Sequence, residues 1–384
     1  MFLPALIFES AFNSDWHIFK KIFGQVLIMA GPMLLVSTLL SALMMRHVLG
    51  YTEEHRNFDF KAALLYGAII SATDPVAVVA LLKELGASKK LSTLIEGESL
   101  LNDGTAMVVF FVVLDFVKGE SATPIDVFKK FVTLAGGGAA FGVIFGVLAS
   151  FILTKIFNNF VLEVNTTIVV CYVMFYFAEF TNLGFSGILS LVAFGLYMTY
   201  SGKTKISIES QHALHHVWGY IGFAAETLIF ILSGVIIGDR FLGGGATEPE
   251  SESTQSNHSD HEDLSLRTVG KVFAAYIMLH FIRFFGIMLF SPCLKKMGYG
   301  LDFKQILLCS YAGLRGAVGM SLALMVAGDH KVPKGVRDVI LIHVAGVALL
   351  TLLINATTTG ILVKALGLNH YSDLKKNILY SISK

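Results

Sequence analysis

Ser99, Asn102 and Asp103 stand at i, i+3 and i+4 in a stretch, 95–111, that is otherwise mostly apolar. On a helix that spacing puts all three on one face. Two neutral oxygens beside one carboxylate are the ligand set that a hard cation such as sodium takes. Glu98 points roughly a quarter turn away, towards a neighbouring helix. Glu96 lies earlier, where an acid can serve a helix start.

A second acid, Asp74, precedes Pro75 in "SATDPVAVVALL". Proline removes a helical hydrogen bond and clashes with the turn before it. A helix broken beside a carboxylate is how transporters build cation sites near the bilayer midplane. The bland reading is a proline kink with a solvent-facing acid. A third segment, "SYAGLRGAVGMSLAL", carries Arg315 among Gly313, Gly316 and Gly319, which loosen the helix and allow close approach. A buried guanidinium needs a carboxylate, and Glu98 is the expected partner. Single charges at Glu179, Glu226 and Arg283 are less informative; Glu226–Arg283 is one pairing open to them. His280 and His343 read as packed, hydrogen-bonded histidines.

These groups need elements to hold them. The 384 residues are 54% hydrophobic and 15% charged, with a mean hydropathy of +0.69. Soluble domains carry roughly a quarter charged residues, so the composition is that of a membrane protein. A net charge of +1 gives no reason to expect a nucleic-acid partner. Cys171, Cys293 and Cys309 are widely spaced in apolar segments and read as buried thiols. A membrane-spanning helix needs about 20 mainly apolar residues. Candidates lie near 2–13, 18–45, 60–83, 91–117, 126–157, 162–181, 184–200, 214–238, 269–293, 303–327 and 337–366. The expected fold is all-α and polytopic, with about 11 membrane segments. The interruptions near Asp74 and Arg315, one early and one late, suggest an inverted repeat with paired broken helices.

The polar connection 239–267 reads as a disordered extracellular loop and holds an N-glycosylation sequon at Asn257. Counting from it, the lysine-rich loops "KELGASKK", "SGKTKIS", "LKKMGYGLDFK" and "HYSDLKKN" all face the cytoplasm, as the positive-inside rule expects. Arg46, Arg56, Lys331, Lys334 and Arg337 on the opposite side dilute that bias. Residues 1–370 form the membrane domain and 371–384 begin a cytosolic region.

With these motifs the sequence resembles the sodium/proton exchangers of the cation/proton antiporter superfamily. "SATDPVAVVALLKELGASKKLSTLIEGESLLNDGTA" is similar to their two signature helices, "ETLIFILSGV" and "GLRGAV" to two further motifs, and "FLPALIFES" to the region lining the ion funnel. The resemblance covers nearly the whole chain and looks closest to the branch with the plant salt-tolerance exchanger and the sperm-type exchangers. It implies two crossing broken helices marked by Pro75, Gly313 and Gly316. It implies an ion site of Asp103, Asn102, Asp74, Thr73 and Ser99, with Na+ at Asp103. It implies a structural ion pair, Glu98–Arg315, and an inhibitor or funnel region at Leu3, Pro4 and Glu179. Asn102 stands where electrogenic relatives carry a second acid, so electroneutral exchange is implied. About two N-terminal helices of the family's core and the cytosolic regulatory regions of these relatives are expected to lie outside this sequence.

The function expected is Na+/H+ antiport by alternating access in a plasma-membrane homodimer, regulating intracellular pH and sodium. The membrane is flagellar if the sperm-type branch applies. Na+, H+ and the lipid bilayer are the partners, and no cofactor is expected. Two other readings compete: a transport-dead scaffold, and an intramembrane serine protease using Ser186 of "GFSG".

Overall fold

The computed structural model describes residues 2–51, 58–119, 124–156, 159–181, 184–241, 258–298 and 300–368. Helix α1 spans Leu3–Asn13, α2 Trp16–Ala30 and α3 Pro32–Leu43, which ends in a π-helical turn at Met44–Val48. Helices α4 (Phe60–Ser71) and α5 (Val76–Glu84) are two halves of one segment, followed by α6 (Lys89–Val117). Then come α7 (Pro124–Val132), α8 (Gly138–Leu153), α9 (Phe160–Phe180), α10 (Gly187–Tyr197) and α11 (Ile208–Phe241). Helix α12 spans His258–Lys296. Helices α13 (Phe303–Tyr311) and α14 (Ala317–Gly328) form a second interrupted segment. Helix α15 (Lys334–Leu350) continues through a π-helical stretch, Thr351–Ala356, into α16 (Thr357–Ala365).

Among the described residues, eight helical stretches are long and apolar enough to cross a membrane. The other three expected segments are helical but shorter or broken: α1, α10 and the α13–α14 pair. Helix α11 runs to Phe241 and α12 starts at His258, so helix reaches into both ends of the polar connection that composition alone gave as disordered. Residues 242–257, with the Asn257 sequon, and the tail 369–384 lie outside the described residues.

The breaks have clear local causes. Asp74 precedes Pro75, and a residue before proline is pushed out of the helical region. Ala72 already turns extended, with φ −62° and ψ 129°, and 72–75 are uncoiled. In the second segment Gly316 adopts φ −111° and ψ −164°, and 313–316 are uncoiled. The breaks cross in space. The Asp74 amide donates to the Leu314 carbonyl at 2.9 Å. Gly316 is a glycine of necessity, because a Cβ there would overlap the Asp74 side chain.

Each break sits in the same order of elements. Helix α3 leads to the first broken pair, which packs on α6; helix α12 leads to the second, which packs on α15. Helices α3 and α12 pack on one another, so the two sets form one bundle. Helices α1, α8, α9, α10 and α11 make a second group linked through α1–α10, α1–α11, α8–α10 and α9–α10 contacts. The loops on either side of α6 separate cleanly. Lys90, near its start, and Lys295 and Asp302 line one cavity, so two of the lysine-rich connections share a face. Near the other end of α6, Lys118 pairs with Asp329 at 2.7 Å.

Candidate functional site

Four helix ends meet at the crossing, and each meets an opposite charge. The N-terminal ends of α5 and α14, with their positive partial charge, face Asp74. The Val76 amide donates to Asp74 Oδ1 at 3.1 Å, and the Ala317 amide lies against the same carboxylate. The negative C-terminal ends of α4 and α13 face cations. Arg315 Nη1 donates to the Ala72 carbonyl at 3.2 Å. Arg283 Nε donates to the Cys309 carbonyl, in the last turn of α13, at 3.1 Å.

The ion pair expected between Glu98 and Arg315 is replaced by another. Glu98 Oε1 accepts from Arg283 Nη2 at 2.8 Å, with the two side chains 1% and 8% exposed. The reason lies in the break. Arg315 belongs to the uncoiled stretch and turns its guanidinium on the bare end of α4, whereas Arg283 reaches Glu98 from the continuous helix α12. The side-chain bonds of Arg283 go to Glu98 and the Cys309 carbonyl, and none joins it to Glu226 among the described residues. Glu96 does not cap α6 either, because the helix starts at Lys89; it pairs with Lys83 of α5 at 3.5 Å.

The face of α6 predicted from spacing forms as expected and grips the first break. Ser99 Oγ donates to the Thr73 carbonyl at 2.7 Å. Asn102 Nδ2 donates to the Ser71 carbonyl at 3.2 Å and to Thr73 Oγ1 at 2.9 Å. A carbonyl can only accept, so the amide nitrogen of Asn102 faces it and its oxygen points away. Asn102 Oδ1 and Asp103 Oδ1 are buried and have no hydrogen-bond partner among the described residues. An unmet buried acceptor costs about 1–3 kcal/mol. Both are oxygens, and both can be met by a proton donor or a hard cation.

Asp103, Asp74 and Ser99 line a cavity of about 210 Å³ together with Glu9 of α1 and Glu226 of α11. Its lining has four carboxylates and no basic side chain among the described residues. Asn102 and Thr73 stand behind this wall as supports. Leu3, Pro4 and Glu179 are not part of the lining. The Pro4 carbonyl faces Cys171 Sγ at 3.8 Å, and Glu179 accepts the Gly187 amide at 3.1 Å at the start of α10. Glu9 was missed by the reading of the sequence; an acid inside the apolar segment 2–13 was its signal. Expressed in vesicles, Glu9→Gln and Glu226→Gln should each slow cation uptake a few-fold at low ionic strength. The difference should shrink as salt is raised, because like-signed cavity walls concentrate counter-ions and salt screens them.

Ser186 is the N-cap of α10 and its Oγ accepts the Leu189 amide at 3.4 Å. His280 faces Asn355 and the Tyr276 carbonyl, and His343 faces Tyr51 and the Val339 carbonyl. Neither histidine is bonded to Ser186.

An all-helical bundle with multiple apolar spans and two broken helices crossing at a carboxylate has the architecture of a secondary transporter. Residues 1–365 match the family described as sodium/hydrogen exchanger, transmembrane, and the chain belongs to that family. It is 38% identical to sodium/hydrogen exchanger 7 of Arabidopsis thaliana over 99% of its own length and 32% of that protein's. It is 32% identical to the low-affinity Na(+)/H(+) antiporter NhaS1 of Synechocystis over 96% of this chain and 64% of that one. The chain thus spans about a third to two thirds of these curated relatives. The solved structure of the sodium proton antiporter MjNhaP1 from Methanocaldococcus jannaschii superposes with a TM-score of 0.73 at 21% identity, covering 95% of this chain and 84% of that one. The fold is therefore that of the cation/proton antiporters.

Proposed function

We propose that the protein exchanges Na+ for H+ one-for-one across a membrane by alternating access, with Asp103 as the shared site. The observation that carries this reading is the Asp103 side chain, 9% exposed, which lines a cavity with three other carboxylates and Ser99 and keeps one buried oxygen without a hydrogen-bond partner among the described residues. A proton and a sodium ion can each neutralise that carboxylate, and only one at a time. The neutralised carboxylate can pass the apolar barrier between the two faces; the bare charge cannot, because moving a buried charge without a partner is costly. The group containing α8 to α11 supplies a scaffold against which the crossed bundle moves.

The reading extends to a homodimer in the plasma membrane that sets intracellular pH and sodium. The exchange of Na+ for H+, though not the dimer, the membrane or the regulatory role, is supported by the names of the plant and cyanobacterial relatives, which are Na+/H+ exchangers or antiporters. Asn102 supports the electroneutral part of the reading. Its amide holds the first break and adds no charge to the moving site. In sealed vesicles with a fixed pH gradient, sodium flux by the wild type should be unaffected by an imposed membrane potential. Asn102→Asp should make the flux respond to potential. A potential-dependent wild type would overturn the one-for-one stoichiometry.

A further inference from the structure

The second break is held from α15's continuation as the first is held from α6. We infer that Thr351, the first residue of the π-helical stretch Thr351–Ala356, is a positioning residue for Asp74 and through it for the ion site. The inference rests on the exchange reading above. The link is a single peptide group. The carbonyl of Leu314 and the amide of Arg315 belong to one planar unit, whose two polar atoms point in opposite directions. On one side the Asp74 amide donates to the Leu314 carbonyl at 2.9 Å. On the other side the Arg315 amide donates to Thr351 Oγ1 at 3.2 Å. The threonine hydroxyl in turn donates to the Ala348 carbonyl at 2.9 Å. Its hydrogen is thereby committed, and a lone pair is turned to Arg315.

The rotation of that peptide sets where the Asp74 amide, and hence its carboxylate, comes to rest. An uncoiled peptide has no helical ladder to fix its rotation; here the Asp74 amide holds one end and the Thr351 hydroxyl the other. Thr351 is 2% exposed, and no water can replace its hydroxyl cheaply. The π-helical winding fits this task. An inserted residue in a helix shifts the side chains that follow, and such bulges concentrate at functional sites. Here the stretch aims two side chains at the two ends of the second break: Thr351 at the Arg315 amide and Asn355 at the Tyr311 carbonyl, at 3.0 Å. Ser99 and Asn102 of α6 do the same for the Thr73 and Ser71 carbonyls of the first break.

The test uses the full-length protein in proteoliposomes. Sodium KM and maximal rate are measured for wild type, Thr351→Ser and Thr351→Val. Valine keeps the shape and removes the acceptor; serine keeps the acceptor and removes the methyl. Thr351→Val should raise the sodium KM about five- to tenfold, the size of one lost buried hydrogen bond. Thr351→Ser should stay within about twofold of wild type. A wild-type KM in Thr351→Val would overturn the assignment, as would equal rises in both variants. If the valine variant does not assemble, Thr351→Cys decides: a thiol is a weak acceptor. A KM above that of the serine variant supports the assignment, and an equal KM overturns it. A wild type that exchanges no sodium for protons would refute the exchange reading itself, whatever residue 351 does.

Discussion

Asp103→Asn is expected to reach the membrane in wild-type amounts and to carry no sodium in exchange for protons. Asparagine has nearly the shape of aspartate, so the packing of α6 in the bundle should survive. What changes is the chemistry of one atom group. The carboxylate can be neutralised by a proton or by sodium, and the amide can neither bind nor release a proton. The buried orphan at Asp103 Oδ1 also disappears as a charged group, so the variant should be as stable as the wild type or more so. Flux at the background of protein-free vesicles, with normal assembly on a sizing column, is the expected result. Exchange at the wild-type rate would show that another group carries the proton.

Breaking the Glu98–Arg283 pair should be the most destabilising single change in the bundle. Removing one partner of a buried ion pair strands the other charge, at a cost of about 3–5 kcal/mol. Arg283 also donates to the Cys309 carbonyl, so its loss leaves the end of α13 bare as well. Glu98→Gln and Arg283→Gln should each lower the thermal midpoint of the purified protein sharply. A double-mutant cycle separates the two candidate partners. The Glu98/Arg283 coupling should be on the order of 1–3 kcal/mol, and the Glu98/Arg315 coupling much smaller. A larger coupling to Arg315 would restore the Glu98–Arg315 pairing expected from the sequence.

Much of this site could be read from the residues alone. Ser99, Asn102 and Asp103 declared themselves because polar side chains at helical spacing are costly in an apolar run. Asp74–Pro75 declared the first break because proline cannot continue a helix. The glycines around Arg315 declared the second, and Asp74 against Gly316 shows why one of them is needed. Partner choice was a different matter. Both Arg283 and Arg315 lie within apolar segments, and one-dimensional spacing cannot say which guanidinium reaches Glu98 across three helices. The electrostatic demand that decides it, the bare carbonyl end of α4, exists only once the two breaks cross. Glu9 was hidden for the same reason: an acid on α1 acquires meaning when α1 and α11 close the cavity over Asp103. Thr351 was beyond reach of the sequence, since a threonine in an apolar helix is common and its role lies in one peptide group of another segment.

Competition of sodium and a proton for the Asp103 carboxylate can be measured by titrating sodium into the purified full-length protein by calorimetry in buffers of different ionisation enthalpy. The slope of heat against buffer enthalpy counts the protons released on binding. Release should approach about one proton per sodium ion bound at low pH and fall as pH rises and the site empties of protons, with none from Asp103→Asn. Sodium binding by the wild type without proton release at any pH, or release that persists in Asp103→Asn, would contradict it.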